Sequence, residues 1–318
     1  MTSPKLPINM LLLHIIKNCN SHCSMCDCWR EKKSILLDLE DIKSMIDAFE
    51  ENGGKMVLVS GGEPLLHPNV QDILKYIKDK GLTASLNTNG LLIKKHADKI
   101  IPFCDFIIVS MDCLKNEQAY LLRGHTSNER ILKDLEFIQK EFQTNIQLRC
   151  TISRKNLFSF YELIDYAQTV GFGVSFSPID YSSDSFGREK EPTNTIDDWI
   201  PSNDELNKFE QLLKTELGNK IQKAFQDQVI TWDIKNFNDL ISYFRHCRNK
   251  NIICEKQMCF LPYTSLIVDY NGDIRPCFYL PAFTHIKNIN KEALSSFQRV
   301  QQMGTPCKCE GCRGHVFT

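Results

Sequence analysis

The chain lacks long hydrophobic runs. Its apolar stretch Met10 to Ile16 is too short to span a bilayer, and its opening residues lack the apolar core of a secretory signal. The chain also lacks a charge excess: 38 Lys and Arg are dispersed among 39 Asp and Glu, for a formal net charge of -1. This balance gives no electrostatic reason to expect binding to nucleic acid or to an anionic membrane. We therefore expect a cytoplasmic protein with no membrane and no nucleic-acid partner.

Cysteine, in contrast, is abundant, with 14 residues in a chain of 318. A reducing cytosol keeps thiols free, so this number argues for metal or redox use over a disulfide framework. Hydrophobic residues make up 42% of the chain, which is ample for a buried core. The length allows one large domain or two modest ones.

Short apolar segments alternate with amphipathic ones over the first 180 residues. The predicted strands are Met10 to Ile16, Met56 to Ser60, Thr83 to Asn87, Phe106 to Met111, Ile146 to Ser153 and Val174 to Ser177. The predicted helices begin after Asp38 and at Pro68, and then cover 91–100, 127–142 and 157–169. Such alternation predicts an α/β fold with a parallel sheet, in which ligands bind at the carboxyl ends of the strands.

Three cysteines follow the first predicted strand in a C-x3-C-x2-C pattern: Cys19, Cys23 and Cys26. Thiolates are the usual ligands of iron-sulfur clusters, and a cubane needs four ligands. Three close cysteines would leave one iron open to a small molecule. The alternative is a zinc knuckle, for which Cys28 or His22 could supply a fourth ligand.

This triplet resembles the signature of the radical S-adenosylmethionine (SAM) superfamily, which lies after the first strand of a partial (β/α)6 barrel. The resemblance implies that the open iron of a 4Fe-4S cluster chelates the amino and carboxylate groups of SAM. One electron from the reduced cluster then cleaves SAM to a 5′-deoxyadenosyl radical, which abstracts a substrate hydrogen. The resemblance also implies an external electron donor of the flavodoxin or ferredoxin type.

A second motif, Gly61, Gly62, Glu63 and Pro64, follows the second predicted strand directly after Ser60. The two glycines allow a sharp turn and a close approach of the backbone to a ligand, and Pro64 restricts the turn. The segment matches the family's GGEP motif, which binds the methionine ammonium of SAM largely through backbone carbonyls. By itself it would also be consistent with an ordinary turn.

Polar residues lie at the ends of two further predicted strands, and Arg149 lies on a third. Ser110 and Asp112 resemble the family's ribose motif, although Cys113 stands where the family often has Gly. Asn89 lies in an Asn-Thr-Asn-Gly segment that resembles another SAM-adjacent position, but Asn-Gly is also a common turn. Arg149, like Arg123, could bind a carboxylate with two hydrogen bonds or form an ordinary ion pair.

The chain changes character after Asp180. Residues 181–202 have the composition of a linker or a flexible lid, and helices are predicted at 203–217, 219–228 and 235–246. Cys259 and Cys277 flank a predicted hairpin whose turn contains Asn271 and Gly272.

The hairpin and the terminal cysteines together resemble the twitch version of the SPASM auxiliary-cluster domain. The resemblance implies that Cys259, Cys277, Cys309 and Cys312 hold a second 4Fe-4S cluster, with Cys307 as the spare thiol. The alternative is a structural zinc site, since a zinc ion and a 4Fe-4S cluster both accept four thiolate ligands.

Three other cysteines lie near this region in sequence: Cys247, Cys254 and Cys307. A thiol at the barrel mouth could donate a hydrogen atom to a substrate radical, and the product would then be an epimer. If the radical instead loses a proton and passes an electron to the auxiliary cluster, the product is oxidised. The alternative for each of these thiols is packing or cluster ligation.

The sequence thus predicts a partial barrel over 8–180, a linker and helical segment over 181–254, and a small α+β twitch-like domain over 255–318. Only 18 residues precede Cys19, which we interpret as too few for a leader-peptide recognition domain. We therefore expect a small polar substrate, such as a sugar, aminocyclitol or nucleotide derivative, that is oxidised at an alcohol carbon. Epimerisation and peptide or protein modification are the alternatives, and a non-catalytic zinc or iron-sulfur scaffold is a more distant one.

Overall fold

A computed structural model describes residues 8–180, 196–249 and 261–295. The strands are β1 Met10–His14, β2 Met56–Ser60, β3 Thr83–Thr88, β4 Phe106–Ser110, β5 Asn145–Ile152, β6 Gly173–Pro178, β7 Ser265–Val268, β8 Asp273–Arg275 and β9 Thr284–His285. The helices are α1 Leu39–Glu51, α2 Val70–Asp79, α3 Ile93–Ile100, α4 Asn116–Arg123, α5 Asn128–Phe142, α6 Glu162–Val170, α7 Ile196–Trp199, α8 Asn203–Leu213, α9 Glu216–Gln226, α10 Ile234–Arg248 and α11 Leu261–Thr264.

The strands of the described residues form one sheet in the order β6-β5-β4-β3-β2-β1-β7-β8-β9. All neighbours from β6 to β1 pair in parallel, so consecutive strands are adjacent and a helix connects each to the next. This arrangement confirms the predicted α/β fold with a parallel sheet. All six carboxyl ends therefore lie at the same edge, where each predicted motif follows its strand.

Burial alternates clearly along β5. Ile146, Leu148, Cys150 and Ile152 are buried, whereas Gln147, Arg149 and Thr151 between them are partly exposed. In a strand, alternate side chains point to opposite faces. One face of β5 therefore packs in the apolar core with the helices, and the other carries polar side chains.

Helix α1 has the predicted cap, the predicted buried face and the predicted glycine after its end. The Asp38 carboxylate accepts a hydrogen bond from the Glu40 amide at 2.9 Å and caps the helix. Ile42, Met45, Ile46 and Phe49 are buried, and Gly53 follows with φ +85°. The prediction is correct because cap and apolar periodicity agree.

The hairpin is also present, but it belongs to the same sheet as the barrel. Strand β8 pairs antiparallel with β7 through Ile267 and Arg275, while β7 pairs in parallel with β1. Gly272 adopts φ +90° in the connecting turn. The hairpin thus continues the barrel sheet beyond β1 and brings the start of β8 close to the carboxyl edge.

Helix α4 was not predicted from the sequence. It has eight residues, of which only Ala119 and Leu122 are buried, so its apolar periodicity is too short to detect. Gly124 ends it in the left-handed conformation, with φ +68°.

None of the helices among the described residues combines the length and the apolar character that crossing a membrane requires.

Candidate functional site

The cysteine loop leaves β1 and lies at the carboxyl edge of the sheet. Cys23 is buried, and Cys19 and Cys26 are partly buried. Ser21 supports the first two thiols: its amide lies 3.5 Å from the Cys19 sulfur, and its hydroxyl lies 3.5 Å from the Cys23 sulfur. The Asn89 side-chain amide, at the end of β3, lies 3.7 Å from the Cys19 sulfur. The loop is therefore ordered by polar contacts to its own sulfur atoms.

Burial disfavours ionisation of these thiols when no cation is bound beside them. It raises the pKa of Cys19 to about 12, with smaller contributions from Glu63, Cys23 and Cys26, and it also raises the pKa of Cys23. Iron cations would supply the positive charge that stabilises the thiolates. The loop thus has the donor chemistry of an iron-sulfur site.

Within 8–180, 196–249 and 261–295, no three His, Cys, Asp or Glu side chains converge on a point that would hold one metal ion. Cys19, Cys23 and Cys26 are nevertheless close enough to affect one another's titration. In a cubane each thiolate binds a different iron atom, so the sulfurs lie farther apart than ligands of one ion. The three thiols therefore do not need to converge on one ion to serve as cubane ligands.

The glycine motif packs directly against the cysteine loop. The Gly62 amide donates to the Ile16 carbonyl at 2.7 Å, and the Glu63 amide donates to the Asn18 carbonyl at 2.9 Å. A Cβ atom on Gly62 would overlap the carbonyl oxygens of Lys17 and Asn18. From the sequence we expected these glycines to allow the close approach of a ligand. The structure gives a different reason, since their backbone approaches the chain just before Cys19.

Gly62→Ala is accordingly expected to displace the cysteine loop and to reduce iron incorporation at least about tenfold, since neither backbone segment can move freely. Iron and sulfide analysis after anaerobic reconstitution would measure this effect. Gly173→Ala is a matched control, because a Cβ there meets no atom closer than 3.7 Å. Full iron incorporation by the Gly62 variant would contradict the packing argument.

The Glu63 side chain points into the protein. It is fully buried, and its carboxylate accepts hydrogen bonds from the Leu65 amide, the Thr88 hydroxyl and the Asn89 amide at 3.1, 2.7 and 2.8 Å. Burial raises the pKa of Glu63 to about 7, and the three donors act in the opposite direction. Glu63 therefore joins the ends of β2 and β3, and any cofactor contact of this motif is left to its backbone.

Asn87, near the end of β3, and Asn89, directly after it, have different environments. Asn89 donates to the Asn20 side chain at 2.8 Å, so it links this loop to the cysteine loop. Asn87 donates to the Ser60 hydroxyl at 3.1 Å, but its Oδ1 atom is buried without a hydrogen-bond donor in the described structure. A buried acceptor with no donor is unusual and suits a ligand that carries N–H groups.

Asp112 forms an ion pair with Arg123. The guanidinium donates two hydrogen bonds to the carboxylate, at 2.6 and 2.9 Å, and the Thr151 amide donates a third at 2.7 Å. Asp112 is fully buried. Its carboxylate hydrogen bonds thus point inward, toward α4 and β5. This geometry favours a positioning role over the direct ribose contact that the sequence motif implied.

Arg123 stays charged in this environment. Burial alone would lower its pKa, but the Asp112 carboxylate and Cys23 raise it above the ordinary value. The Arg123 carbonyl also accepts a hydrogen bond from the Ser21 hydroxyl at 2.8 Å. The end of α4 is therefore attached to the cysteine loop on one side and to β4 on the other.

Ser110 and Arg149 are register neighbours on β4 and β5, and Ser175 is the neighbour of Arg149 on β6. Burial lowers the pKa of Arg149, whose side-chain Nε donates a long hydrogen bond to the Ser175 hydroxyl at 3.4 Å. No carboxylate of the described residues lies within ion-pair distance of Arg149. The guanidinium is thus suited to an anionic group of a ligand.

Two of the candidates in the C-terminal half are described. Cys247 lies in the last turn of α10 beside Tyr243, whose hydroxyl donates to the Ile179 carbonyl at 3.0 Å. Cys277 follows β8 and is partly buried. The pKa of Tyr243 is raised by burial first and then by Cys247 and Tyr279, so α10 ends near the segment that carries Cys277. Cys254, Cys259, Cys307, Cys309 and Cys312 lie outside the described residues.

The sequence did not identify every polar residue at this edge. It left Arg123 open between carboxylate binding and an ordinary ion pair, and it did not indicate Ser175. Asn156 holds the Asp112 carbonyl at 3.1 Å and the Thr151 carbonyl at 3.0 Å. Polar residues alternate with apolar ones along some strands, and this pattern could have indicated Ser175. Nothing in the sequence indicates the partner of Arg123, because 11 residues separate it from Asp112.

The fold and the site together define an α/β protein with three thiols on one loop at the carboxyl edge of a parallel sheet. Residues 13–167 match the family described as Radical SAM superfamily. This part of the chain matches a radical SAM domain, and the match implies SAM and one 4Fe-4S cluster as cofactors.

Two curated relatives carry related names. GTP 3',8-cyclase 1 of Mycobacterium tuberculosis is 27% identical over 179 residues, which cover 52% of this chain and 50% of the relative. The matched part thus spans about half the length of that relative. A probable GTP 3',8-cyclase of Methanococcus maripaludis is 23% identical over 277 residues and covers 85% of each chain.

The fold is also similar to that of SuiB from Streptococcus suis, whose crystal structure was determined with S-adenosylmethionine bound. The TM-score is 0.65 at 15% identity, over 91% of this chain and 66% of SuiB. At this identity the likeness concerns the fold alone.

Proposed function

We propose that the protein is a radical SAM enzyme that reductively cleaves SAM and abstracts a hydrogen atom from a small polar substrate. The observation that carries this proposal is the loop of Cys19, Cys23 and Cys26, held at the carboxyl edge by the glycine motif, within the radical SAM domain. When bound, the reduced cluster supplies the electron that cleaves SAM, and the adenosyl fragment abstracts the hydrogen.

The residues around the loop fit the functional groups of SAM. Among the described residues, Asn87 Oδ1 has no hydrogen-bond donor and Arg149 has no carboxylate partner, so they suit an ammonium and an anionic group respectively. Ser110 adjoins Arg149 and is suited to a ribose hydroxyl. Asn89, Glu63, Pro64 and the two glycines hold the loops around this space, and Asp112 positions β4 through Arg123.

A nucleotide derivative is the substrate class that the names of the relatives favour, since both are GTP cyclases. Our proposal for the reaction is oxidation of an alcohol carbon of such a substrate. Formation of an epimer, or modification of a peptide, would change the proposed reaction but keep the protein in the same enzyme class.

The proposed domain organisation is a barrel over 8–180, a helical segment over 181–254 and an auxiliary-cluster domain over 255–318. Tyr279, two residues after Cys277, lies close enough to Tyr243 of α10 to affect its pKa, and this supports a second cluster in that region. Cys259, Cys309 and Cys312 would complete its ligands, in a twitch or SPASM type of domain. Cys247, Cys254 and Cys307 are the candidate hydrogen-atom donors.

Anaerobic reconstitution with iron and sulfide tests this organisation. About eight irons per chain are expected for two cubanes, and reduction in the presence of SAM should release 5′-deoxyadenosine. Four irons would remove the auxiliary cluster while leaving the radical SAM site intact. Tightly bound zinc, together with an absence of 5′-deoxyadenosine, would favour a non-catalytic scaffold.

Incubation with candidate nucleotides and sugars in deuterated water separates the possible reactions. A product lighter by the mass of two hydrogen atoms indicates oxidation. Solvent deuterium at a product carbon instead indicates a thiol hydrogen donor and an epimerase, which would contradict the proposed reaction type.

A further inference from the structure

We infer that His14, Asp269 and Arg275 form a subsite that binds a neutral, hydroxylated ring of the substrate through two neighbouring hydroxyl groups. We call these three residues, together with Phe278, the hairpin subsite. The inference rests on the proposed function, and it narrows the substrate class to a sugar, a cyclitol or the ribose of a nucleoside.

Direct contacts join the members of the hairpin subsite. His14 ends β1, Asp269 follows β7, and Arg275 ends β8. The Arg275 guanidinium lies 2.8 Å from one oxygen of the Asp269 carboxylate, and His14 Nδ1 lies 3.8 Å from the other oxygen. The imidazole also stacks on the ring of Phe278, with centroids 5.5 Å apart and an angle of 25° between the planes. One group of side chains thus connects three neighbouring strands.

The hairpin subsite lies on the same face of the sheet as the residues that fit SAM. His14 is the register neighbour of Ser60 on β2, and the Asn87 side chain on β3 donates to the Ser60 hydroxyl at 3.1 Å. Register neighbours point to the same face of a sheet. A ligand bound to β1 and the hairpin would therefore lie beside the space proposed for SAM and not within it.

The turn of the hairpin adjoins the cysteine loop. Tyr270 follows Asp269 directly, and the Lys17 ammonium lies 5.3 Å from the centre of the Tyr270 ring. Burial raises the pKa of Tyr270 to about 12, and Cys28 and Cys26 are close enough to raise it further. A ring held by the hairpin subsite is thus near the loop at which the adenosyl radical is proposed to form.

Two side chains of the subsite have hydrogen-bonding capacity that the described fold does not use. Arg275 Nε is buried without an acceptor, although the side chain as a whole is 17% exposed. The His14 side chain is 14% exposed and forms no hydrogen bond with the described residues. Buried polar groups are normally paired, and an unmade hydrogen bond is unfavourable. A ligand that bonds to both side chains would complete the site.

The charge of the subsite favours a neutral ligand. The charge of Arg275 is balanced by Asp269, and that of the nearby Lys17 is balanced by Glu31 at 3.1 Å. Burial, and then Arg275, lower the pKa of His14 to about 4, so its imidazole is neutral at pH 7. The carboxylate would repel a phosphate group, and the guanidinium would repel an ammonium group.

Neighbouring hydroxyl groups match the donors and acceptors of this site. A hydroxyl both donates and accepts, so one can accept from Arg275 Nε while the next bonds to the imidazole of His14 or to the Asp269 carboxylate. The saturated ring that carries them has apolar C–H groups on its faces. The stacked rings of Phe278 and His14 offer an aromatic surface to such a face.

The test measures ligand binding to the reconstituted full chain with SAM bound and the cluster kept oxidised, so that SAM is not cleaved. Saturation-transfer NMR titrations use D-glucose, myo-inositol and guanosine as probes. At least one of these rings is expected to bind. Its analogue without one hydroxyl (2-deoxy-D-glucose, quercitol or 2′-deoxyguanosine) should bind about tenfold more weakly. Inorganic phosphate should not compete.

Asp269→Asn keeps the shape of the side chain but leaves the charge of Arg275 unbalanced. Ring binding should weaken about tenfold, and inorganic phosphate should become a competitor. His14→Phe keeps the aromatic stack, removes both nitrogen atoms and should also weaken ring binding. Asp134→Asn is the matched control, because Asp134 pairs with Arg130 at 2.9 Å but lies on α5, away from the hairpin. The iron content of each variant shows whether its clusters are retained.

The inference is overturned if none of the three rings binds, if the deoxy analogues bind equally well, or if phosphate competes with the wild type. Unchanged ring binding in Asp269→Asn, or an equal loss in the Asp134 control, would also overturn it. Release of 5′-deoxyadenosine on reduction with dithionite reports separately on the proposed function. If the wild type binds a ring but releases no 5′-deoxyadenosine, the proposed function fails, and the role of the ring as substrate fails with it.

Discussion

Replacement of Cys19, Cys23 and Cys26 by Ala is expected to abolish both the radical SAM cluster and the release of 5′-deoxyadenosine. The three sulfurs are the ligands that the loop offers, and Cys23 is buried, away from competing donors in solvent. Iron analysis and electron paramagnetic resonance should show loss of one cluster. Chromatography should show product at the level of the enzyme-free control.

Cys28→Ala is the matched control for this triple substitution. Cys28 lies two residues after Cys26 and is 4% exposed, so it resembles the ligands in position and burial. It would be a ligand in a zinc knuckle but not in the proposed cubane. The variant is expected to keep its cluster and its cleavage activity. Loss of metal from this variant, or retained cleavage in the triple variant, would refute the assignment.

Arg123→Gln is expected to lower the free energy of unfolding by about 3–5 kcal/mol, because it leaves the fully buried Asp112 carboxylate without its cation. The same substitution should lower iron incorporation, since the end of α4 holds Ser21 of the cysteine loop. Denaturant unfolding and iron analysis measure the two effects. Arg123→Lys should restore stability only in part, because Lys cannot make the two parallel hydrogen bonds.

Arg130→Gln is the control for the ion pair. Arg130 pairs with Asp134 at 2.9 Å, but its side chain is 51% exposed, and Lys94 also lies within 3.3 Å of that carboxylate. The substitution should change the free energy of unfolding by less than about 1 kcal/mol and leave iron incorporation unchanged. Equal effects in the two Arg variants would show that burial of the Asp112 pair does not matter.

Strands and most helices were predictable because their signals are local. The six predicted barrel strands are short segments with apolar residues in a continuous or alternating pattern, and the observed strands coincide with them to within a few residues. Helix α6 begins at Glu162 rather than near 157, because turns precede it. Helix α4 escaped prediction because two buried residues do not establish a period.

The candidate site was only partly predictable. The cysteine triplet and the glycine motif follow strands whose carboxyl ends share one edge, and Arg149 lies within β5 in register with Ser110 at the end of β4, so their position on one side of the sheet followed from the topology. The direction of a side chain did not. Glu63 and Asp112 both point into the protein, toward partners that lie 25 and 11 residues away in sequence at Thr88 and Arg123.

The sequence by itself determined the alternation of strands and helices and the three closely spaced thiols on one loop, because these are properties of neighbouring residues. The tertiary structure decided how that loop is supported. The backbone of Gly62 lies against Lys17 and Asn18, and α4 is joined to the loop through Ser21. The tertiary structure also joined the hairpin to β1. These contacts depend on chain segments far apart in sequence, whose approach is set by packing of the whole sheet.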